Sequence, residues 1–218
     1  YDVNGVFVPA ALASIARFHD SGLVDSYVDA ETKLAISKAG EMASLWVGVA
    51  PTFFEVAMTP KVARAEVEKY ALSIGVQSSA ALAALSDDSV VFRAIALDGE
   101  GRPVPVLSTD EAFALLFLDD LPAAEVERIV AALMRPFPAG LMTDVGLVVA
   151  NPAYADDTLE NSFGRARYHG TVIWSWQQAM LSAGFAHQLE RSDLKPAVRK
   201  VLARAASGLT SALAAAHD

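Results

Sequence analysis

The segment from Tyr168 to Gln177, with the sequence YHGTVIWSWQ, combines flat aromatic rings with hydrogen-bonding groups. An aromatic face can pack against the C–H face of a sugar ring, and a neighbouring imidazole or amide can hydrogen-bond to its hydroxyls. The segment is therefore suited to holding a hydroxylated ligand. The alternative is that its rings form the core stripe of an ordinary helix, since aromatic side chains are frequently buried.

Two side chains of this segment are the main candidates for ligand contacts. Apolar spacing predicts a helix that begins at Thr171. His169 would lie at that helix start, where a neutral imidazole avoids repulsion from the positive helix end and can still bond to a hydroxyl. On a helix, Trp174 and Trp176 point about 200° apart. We therefore expect Trp174 to face the ligand and Trp176 to contribute to stability.

Acidic residues near this segment could supply acid and base groups. Hydrolysis of a glycosidic bond generally needs two carboxyl groups that flank the bond. Glu160 is the first candidate, because it has no obvious capping role and lies a short loop away from His169. Asp144 is the second. The alternative for each is that it belongs to a solvated surface loop, the usual setting of charged residues.

A second polar group precedes the apolar run Ala112–Leu118. The tetrad from Ser108 to Glu111 matches a capping box, in which the serine accepts from the third helical amide and the glutamate bonds back to the serine amide. A helix start that faces a ligand would also place Glu111 in contact with it. Both interpretations can hold together.

Four segments of the chain together resemble one known family. They are Asp2–Gly5 (DVNG), Gly140–Thr143 (GLMT), Asn151–Tyr154 (NPAY) and Tyr168–Gln177. This set is similar to the C-terminal half of the glycogen-debranching (amylo-1,6-glucosidase) type of glycoside hydrolase, whose domains are six-hairpin (α/α)6 barrels. The resemblance runs thinly from Tyr1 to about Glu190 and is strong only between Gly140 and Gln177.

The resemblance implies a glycosidase that acts on an α-glucoside or a related oligosaccharide without a cofactor or metal. The implied substrate-binding residues are Glu111, Asn151, Tyr154, Tyr168, His169 and Trp174, and the implied catalytic pair is Glu160 and Asp144. Two departures are clear. Val172 and Ile173 stand where relatives can carry an acidic residue, and no W-x-x-D-like segment is present. We therefore expect part of the catalytic apparatus to lie outside this chain.

Composition limits the classes of partner. A net charge of −9 disfavours nucleic acid, whose binding needs clustered Lys and Arg. The sequence contains no run approaching the roughly 20 apolar residues of a membrane-spanning helix, so no membrane partner is expected. The chain has no cysteine, which excludes disulfides and thiolate chemistry and leaves the compartment, cytoplasmic or periplasmic and secreted, undetermined.

Apolar spacings of three and four recur along the whole chain and predict a mainly α-helical fold. The expected helices are Val6–His19, Ala35–Phe54, Lys61–Ile74, Pro122–Met134, Thr171–Leu189 and Pro196–Ala216. One β-hairpin is expected at Val90–Leu107, around the turn Asp98–Gly101. We interpret residues 1–218 as a single domain, a partial (α/α)6 toroid of antiparallel helical hairpins.

Two other functions remain open. Alanine-rich paired helices with an acidic surface would also suit a helical-repeat protein-interaction module. A catalytically inactive carbohydrate-binding relative of the hydrolases would account for the missing acidic residues. If the chain is a half-barrel, its exposed helix faces should be covered by the remaining half of the barrel or by a second copy.

Overall fold

The computed structural model describes residues 1–216, and its fold is mainly helical. The helices are α1 (Asn4–Asp20), α2 (Ala30–Ile36), α3 (Ala39–Phe53), α4 (Pro60–Ile74), α5 (Ser79–Ala83), α6 (Phe113–Phe117), α7 (Ala123–Met134), α8 (Asp157–Ser162), α9 (Ser175–Glu190) and α10 (Pro196–Ala215). A 3₁₀ turn, Thr109–Ala112, leads directly into α6. Within the described residues no helix is long and apolar enough to cross a membrane.

Eight short strands form four antiparallel pairs. The pairs are β1 (Glu55–Met58) with β2 (Val90–Arg93), β3 (Ala96–Leu97) with β4 (Pro103–Val104), β5 (Leu107–Ser108) with β8 (Ala150–Asn151), and β6 (Met142–Thr143) with β7 (Gly146–Leu147). The hairpin predicted at Val90–Leu107 is confirmed only at its centre, where β3 and β4 flank the turn. Its outer strands pair with distant segments, β1 and β8, which sequence periodicity could not reveal.

Several helix ends follow their predicted signals. The Thr59 hydroxyl accepts from the amide of Val62, Pro60 occupies the first turn of α4, and Gly75 ends the helix at φ 70°. This is the expected capping of a helix by threonine, proline and a left-handed glycine. Pro196 likewise opens α10 as predicted.

Two predicted helices are wrong at their boundaries. The helix expected at Ala35–Phe54 begins only at Ala39, as α3, and the first two residues of the prediction end a separate helix, α2. The helix expected at Thr171 begins only at Ser175, because the preceding backbone pairs with the strand region instead. The Val149 amide donates to Val172 O at 2.7 Å and the Ala150 amide to Gly170 O at 3.2 Å.

The core lies between α6, α7, α9 and α10, where Leu115, Leu133, Phe185 and Leu202 are fully buried. In contrast, α1 and α3 pack mainly against each other. Only Ala39 and Ala43 of α3 are buried. The eight most exposed large apolar residues on or near the first three helices, which we call the apolar face, are Phe18, Leu23, Tyr27, Leu34, Met42, Leu45, Val49 and Phe53.

Candidate functional site

Four rings at the start of α9 form a continuous surface that we call the aromatic cluster: Tyr168, His169, Trp174 and Trp176. The centroid of Trp174 lies 4.6 Å from Tyr168, 5.0 Å from His169 and 5.8 Å from Trp176. Tyr168 is 75% exposed and Trp176 51% exposed. The rings therefore face solvent, and the alternative that they form a core stripe is wrong for this segment.

The expectation that Trp174 and Trp176 point apart is wrong. Their rings are stacked with an interplanar angle of 28°. Trp174 precedes the first helical residue and has extended backbone angles, φ −112° and ψ 123°. The 100° turn per residue that separates side chains on a helix does not apply across this boundary. Both indoles consequently belong to one surface.

The aromatic cluster lies where three helices begin. The ring of Phe113, the first residue of α6, lies 6.1 Å from Trp176 and 5.1 Å from Phe7 in the first turn of α1. Three segments far apart in sequence therefore meet at one place. Converging helix starts of this kind form a rigid frame for the side chains that they present.

Asp110 lies in the 3₁₀ turn before α6 and faces this region. Burial raises the pKa of its carboxyl, while the N-terminal amino group of Tyr1 and then the His169 ring lower it in part, and Asp2 raises it. Asp2 accepts at Oδ1 from the amide of Asn4, the first residue of α1, at 2.8 Å. The sequence placed Asp110 within the tetrad from Ser108 to Glu111 but did not single it out as a candidate site residue.

The predicted capping box at Ser108 is not formed. The Ser108 side chain makes no cap hydrogen bond, and its buried Oγ has no partner within residues 1–216. Glu111 does not bond back to Ser108, since its Oε1 lies 2.5 Å from Arg128 Nη2. The tertiary ion pair replaces the local cap because a buried carboxylate needs an opposite charge more than the turn needs a second cap.

Glu111 belongs to a buried ion cluster beside a cavity of about 270 Å³. Arg128 also contacts Glu125 at 2.6 Å, and Arg93 contacts Glu55 at 2.5 Å and Glu125 at 3.5 Å. The pKa of Arg128 is raised: burial by itself would lower it, but Glu111 and Glu125 more than compensate. Arg128 therefore stays charged.

Asn151 and Tyr154 lie in the interior and do not line the aromatic cluster. Asn151 is fully buried, and its Nδ2 donates to Pro138 O and Gly140 O, both at 2.8 Å. The Tyr154 hydroxyl donates to Ala139 O at 2.7 Å, and burial raises the pKa of this phenol. These two predicted binding residues instead hold the loop between α7 and β6 in place.

The predicted catalytic carboxylates lie in two other settings. Glu160 is in α8, 3.5 Å from Lys69 Nζ, and lines a cavity of about 240 Å³ together with Tyr70 and Thr171. Asp144 is exposed in the turn between β6 and β7. The structure therefore gives these residues no shared site, and Asp110 is the acidic residue that accompanies His169.

Within residues 1–216 no group of three or more His, Asp or Glu residues is placed to hold a metal ion. No protein-family model, curated protein or solved structure matches the chain. The functional proposal is therefore based on the aromatic cluster and Asp110. It can stack on a flat apolar face, hydrogen-bond through His169 and exchange a proton at Asp110.

Proposed function

We propose that the aromatic cluster binds carbohydrate. The observation that carries the proposal is the solvent-facing run of Tyr168, His169, Trp174 and Trp176 beside the partly buried Asp110. A sugar ring has an apolar C–H face for the indoles and hydroxyls for the imidazole and carboxyl. A core-forming stripe would have no reason to leave Tyr168 three-quarters exposed.

The reaction that this site supports best is hydrolysis of an α-glucoside or a related oligosaccharide. Asp110 would donate its proton to the glycosidic oxygen as the bond from that oxygen to the anomeric carbon breaks. A raised pKa keeps the donor protonated closer to neutral pH. A second carboxylate would activate the attacking water or attack the anomeric carbon. Asp2 is one candidate, and Glu160 and Asp144 remain predictions for this role.

The family resemblance extends the proposal to architecture. The helices would form part of an (α/α)6 toroid, and further helices of the same kind would cover the apolar face. Phe18, Leu45 and Phe53 are 53%, 65% and 58% exposed. Large exposed apolar patches usually mark an interface. This chain should therefore self-associate in light scattering when produced alone, and Leu45→Glu should reduce the association without changing the fold.

The binding proposal is tested by calorimetric titration with maltose and isomaltose. Stacking on Trp174 should contribute on the order of 1 kcal/mol, so Trp174→Ala and Tyr168→Ala should each weaken binding several-fold. Tyr27→Ala is a matched control, since Tyr27 is 86% exposed and lies outside the aromatic cluster. Equal affinity in wild type and both site variants would contradict the proposal.

Hydrolysis is tested separately with a chromogenic α-glucoside. Asp110→Asn should abolish turnover while sugar binding falls less than about tenfold, since the amide keeps the shape and loses only the proton. Sugar binding without turnover in the wild type fits both a second carboxylate outside this chain, as the family resemblance implies, and the inactive carbohydrate-binding alternative. Turnover that persists in Asp110→Asn would remove the role assigned to Asp110.

A further inference from the structure

The ion cluster beside α7 contains buried polar atoms that its own salt bridges do not use. Glu111 is 1% exposed, and its Oε2 has no hydrogen-bond partner within residues 1–216. Arg93 Nε and Arg128 Nη1 are likewise without partners in the described chain. Each unmet buried polar atom costs free energy, so a cluster with three of them fits a role other than stability alone.

All three side chains line the same cavity of about 270 Å³. The cavity lies between α3, the 3₁₀ turn and α7. Apolar groups such as Val47 and Leu121 form part of its wall, and the exposed residues Gly48 and Thr52 lie on its α3 side. Its size is near the lower end of the roughly 300–1,000 Å³ typical of small-molecule sites. The site therefore combines one apolar wall with one polar wall.

The charges of the cluster decide which ligand chemistry fits. The charged side chains that line the cavity, two arginines and two glutamates, cancel, so the wall favours neither an anion nor a cation. An ammonium group could satisfy Glu111 Oε2 but offers no acceptor to the two guanidinium N–H groups. A hydroxyl both donates and accepts, so adjacent hydroxyls can serve the carboxylate and the guanidinium together. A neutral polyhydroxylated ligand meets all three needs.

We propose that this cavity is a second carbohydrate subsite that holds one hydroxylated ring. Glu111 accepts from a ring hydroxyl, Arg128 and Arg93 donate to neighbouring hydroxyls, and the apolar wall contacts the C–H face. The proposal rests on the carbohydrate function proposed above. Glu111 follows Asp110 directly in the chain, so the 3₁₀ turn presents one carboxyl to the aromatic cluster and the next to the cavity.

The experiment separates this subsite from the aromatic cluster by using Trp174→Ala as the background, which weakens the aromatic cluster. Glucose is titrated into this variant by calorimetry. Glu111→Gln, which keeps the shape and removes the carboxylate acceptor, should then weaken glucose binding at least about tenfold. Glu100→Gln is the control, because Glu100 also pairs with an arginine, Arg102, at 3.0 Å and does not line the cavity. It should leave the affinity within twofold.

A second variant tests the cavity independently in case Glu111→Gln does not fold. A side-chain carbon added at Gly48 meets nothing within 4 Å, so Gly48→Leu should fold normally and obstruct the cavity from α3. Circular dichroism melts identify which variants are folded. Loss of glucose binding in Gly48→Leu with a native melt supports the subsite.

The outcomes distinguish the two proposals. If Glu111→Gln and Gly48→Leu keep the glucose affinity of the background, the subsite is overturned. If maltose affinity still falls in Trp174→Ala alone, the proposed function stands without the subsite. If the wild type binds neither glucose nor maltose, both proposals are overturned together.

Discussion

Replacing Asn151 by alanine should lower the free energy of unfolding strongly and leave the sugar affinity unchanged. Asn151 is fully buried and makes three hydrogen bonds: two donated by Nδ2, to Pro138 O and Gly140 O, and one accepted at Oδ1 from the Ala153 amide at 3.0 Å. The substitution strands two carbonyls and one amide in the interior. Each stranded group costs about 1–3 kcal/mol.

The three costs do not add fully, because the loop relaxes and water can enter. We expect a loss of about 3–5 kcal/mol in the free energy of unfolding, a large part of the ~5–15 kcal/mol available to a domain. Urea denaturation followed by circular dichroism measures this loss. Asn161→Ala is the matched control, because the Asn161 amide donates to Asp157 O at 2.8 Å on the surface. It should change stability by less than about 0.5 kcal/mol.

The structural role of Asn151 would be refuted by a loss below about 1 kcal/mol. It would also be refuted by a folded Asn151→Ala variant that retains wild-type stability but loses sugar affinity. That second result would return Asn151 to the ligand-binding role that the family resemblance implies.

Three further perturbations test other parts of the structure. Burial raises the pKa of Asp110, which penalises its ionised form in the folded state, so Asp110→Asn should be more stable than wild type at pH 7. Urea titrations at several pH values should show this stability advantage disappearing below a pH of about 3.9, the pKa of an aspartate carboxyl in the unfolded chain. An advantage independent of pH would contradict this prediction. Arg128→Met should cost about 3–5 kcal/mol by leaving Glu111 buried without its cation, whereas a loss under 1 kcal/mol would show that the pair is not essential. Gly170→Ala would press a methyl group against the carbonyls of Phe163 and Gly164. It should therefore lower both the melting temperature and the sugar affinity. Unchanged sugar affinity would show that the loop accommodates the methyl group without moving the aromatic cluster.

The helical elements were predictable because their signals are local. Thr59, Pro60 and Gly75 fix the ends of α4 through contacts within a few residues, and α7 and α10 follow from prolines at their starts. Periodicity likewise predicted a mainly helical fold. The arrangement of those helices depends on contacts between distant segments, so the toroid remains part of the proposal.

The errors fall where distant segments compete with local preference. The helix predicted from Thr171 starts late because Gly170 and Val172 accept hydrogen bonds from Ala150 and Val149. That backbone pairing keeps Trp174 extended and brings its ring onto Trp176, which a helical wheel would separate. No pattern within the ten-residue segment could have indicated this.

The site residues show the same division. Tyr168, His169 and Trp174 were predicted together and do lie together. Tyr154 was grouped with them on sequence alone, but its hydroxyl bonds to Ala139 O in the core. Asp110 was missed as a chemical group because its proximity to His169 depends on the meeting of α6 with α9.

The most direct test of the carbohydrate site is a set of intermolecular nuclear Overhauser effects between sugar C–H protons and selectively labelled tryptophan rings. The chain has three tryptophans, and Trp46 in α3 is an internal control outside the aromatic cluster. With maltose present, we expect cross-peaks from the ring protons of Trp174 and Trp176 and none from Trp46. Cross-peaks confined to Trp46, or none from any tryptophan at saturating maltose, would contradict the account.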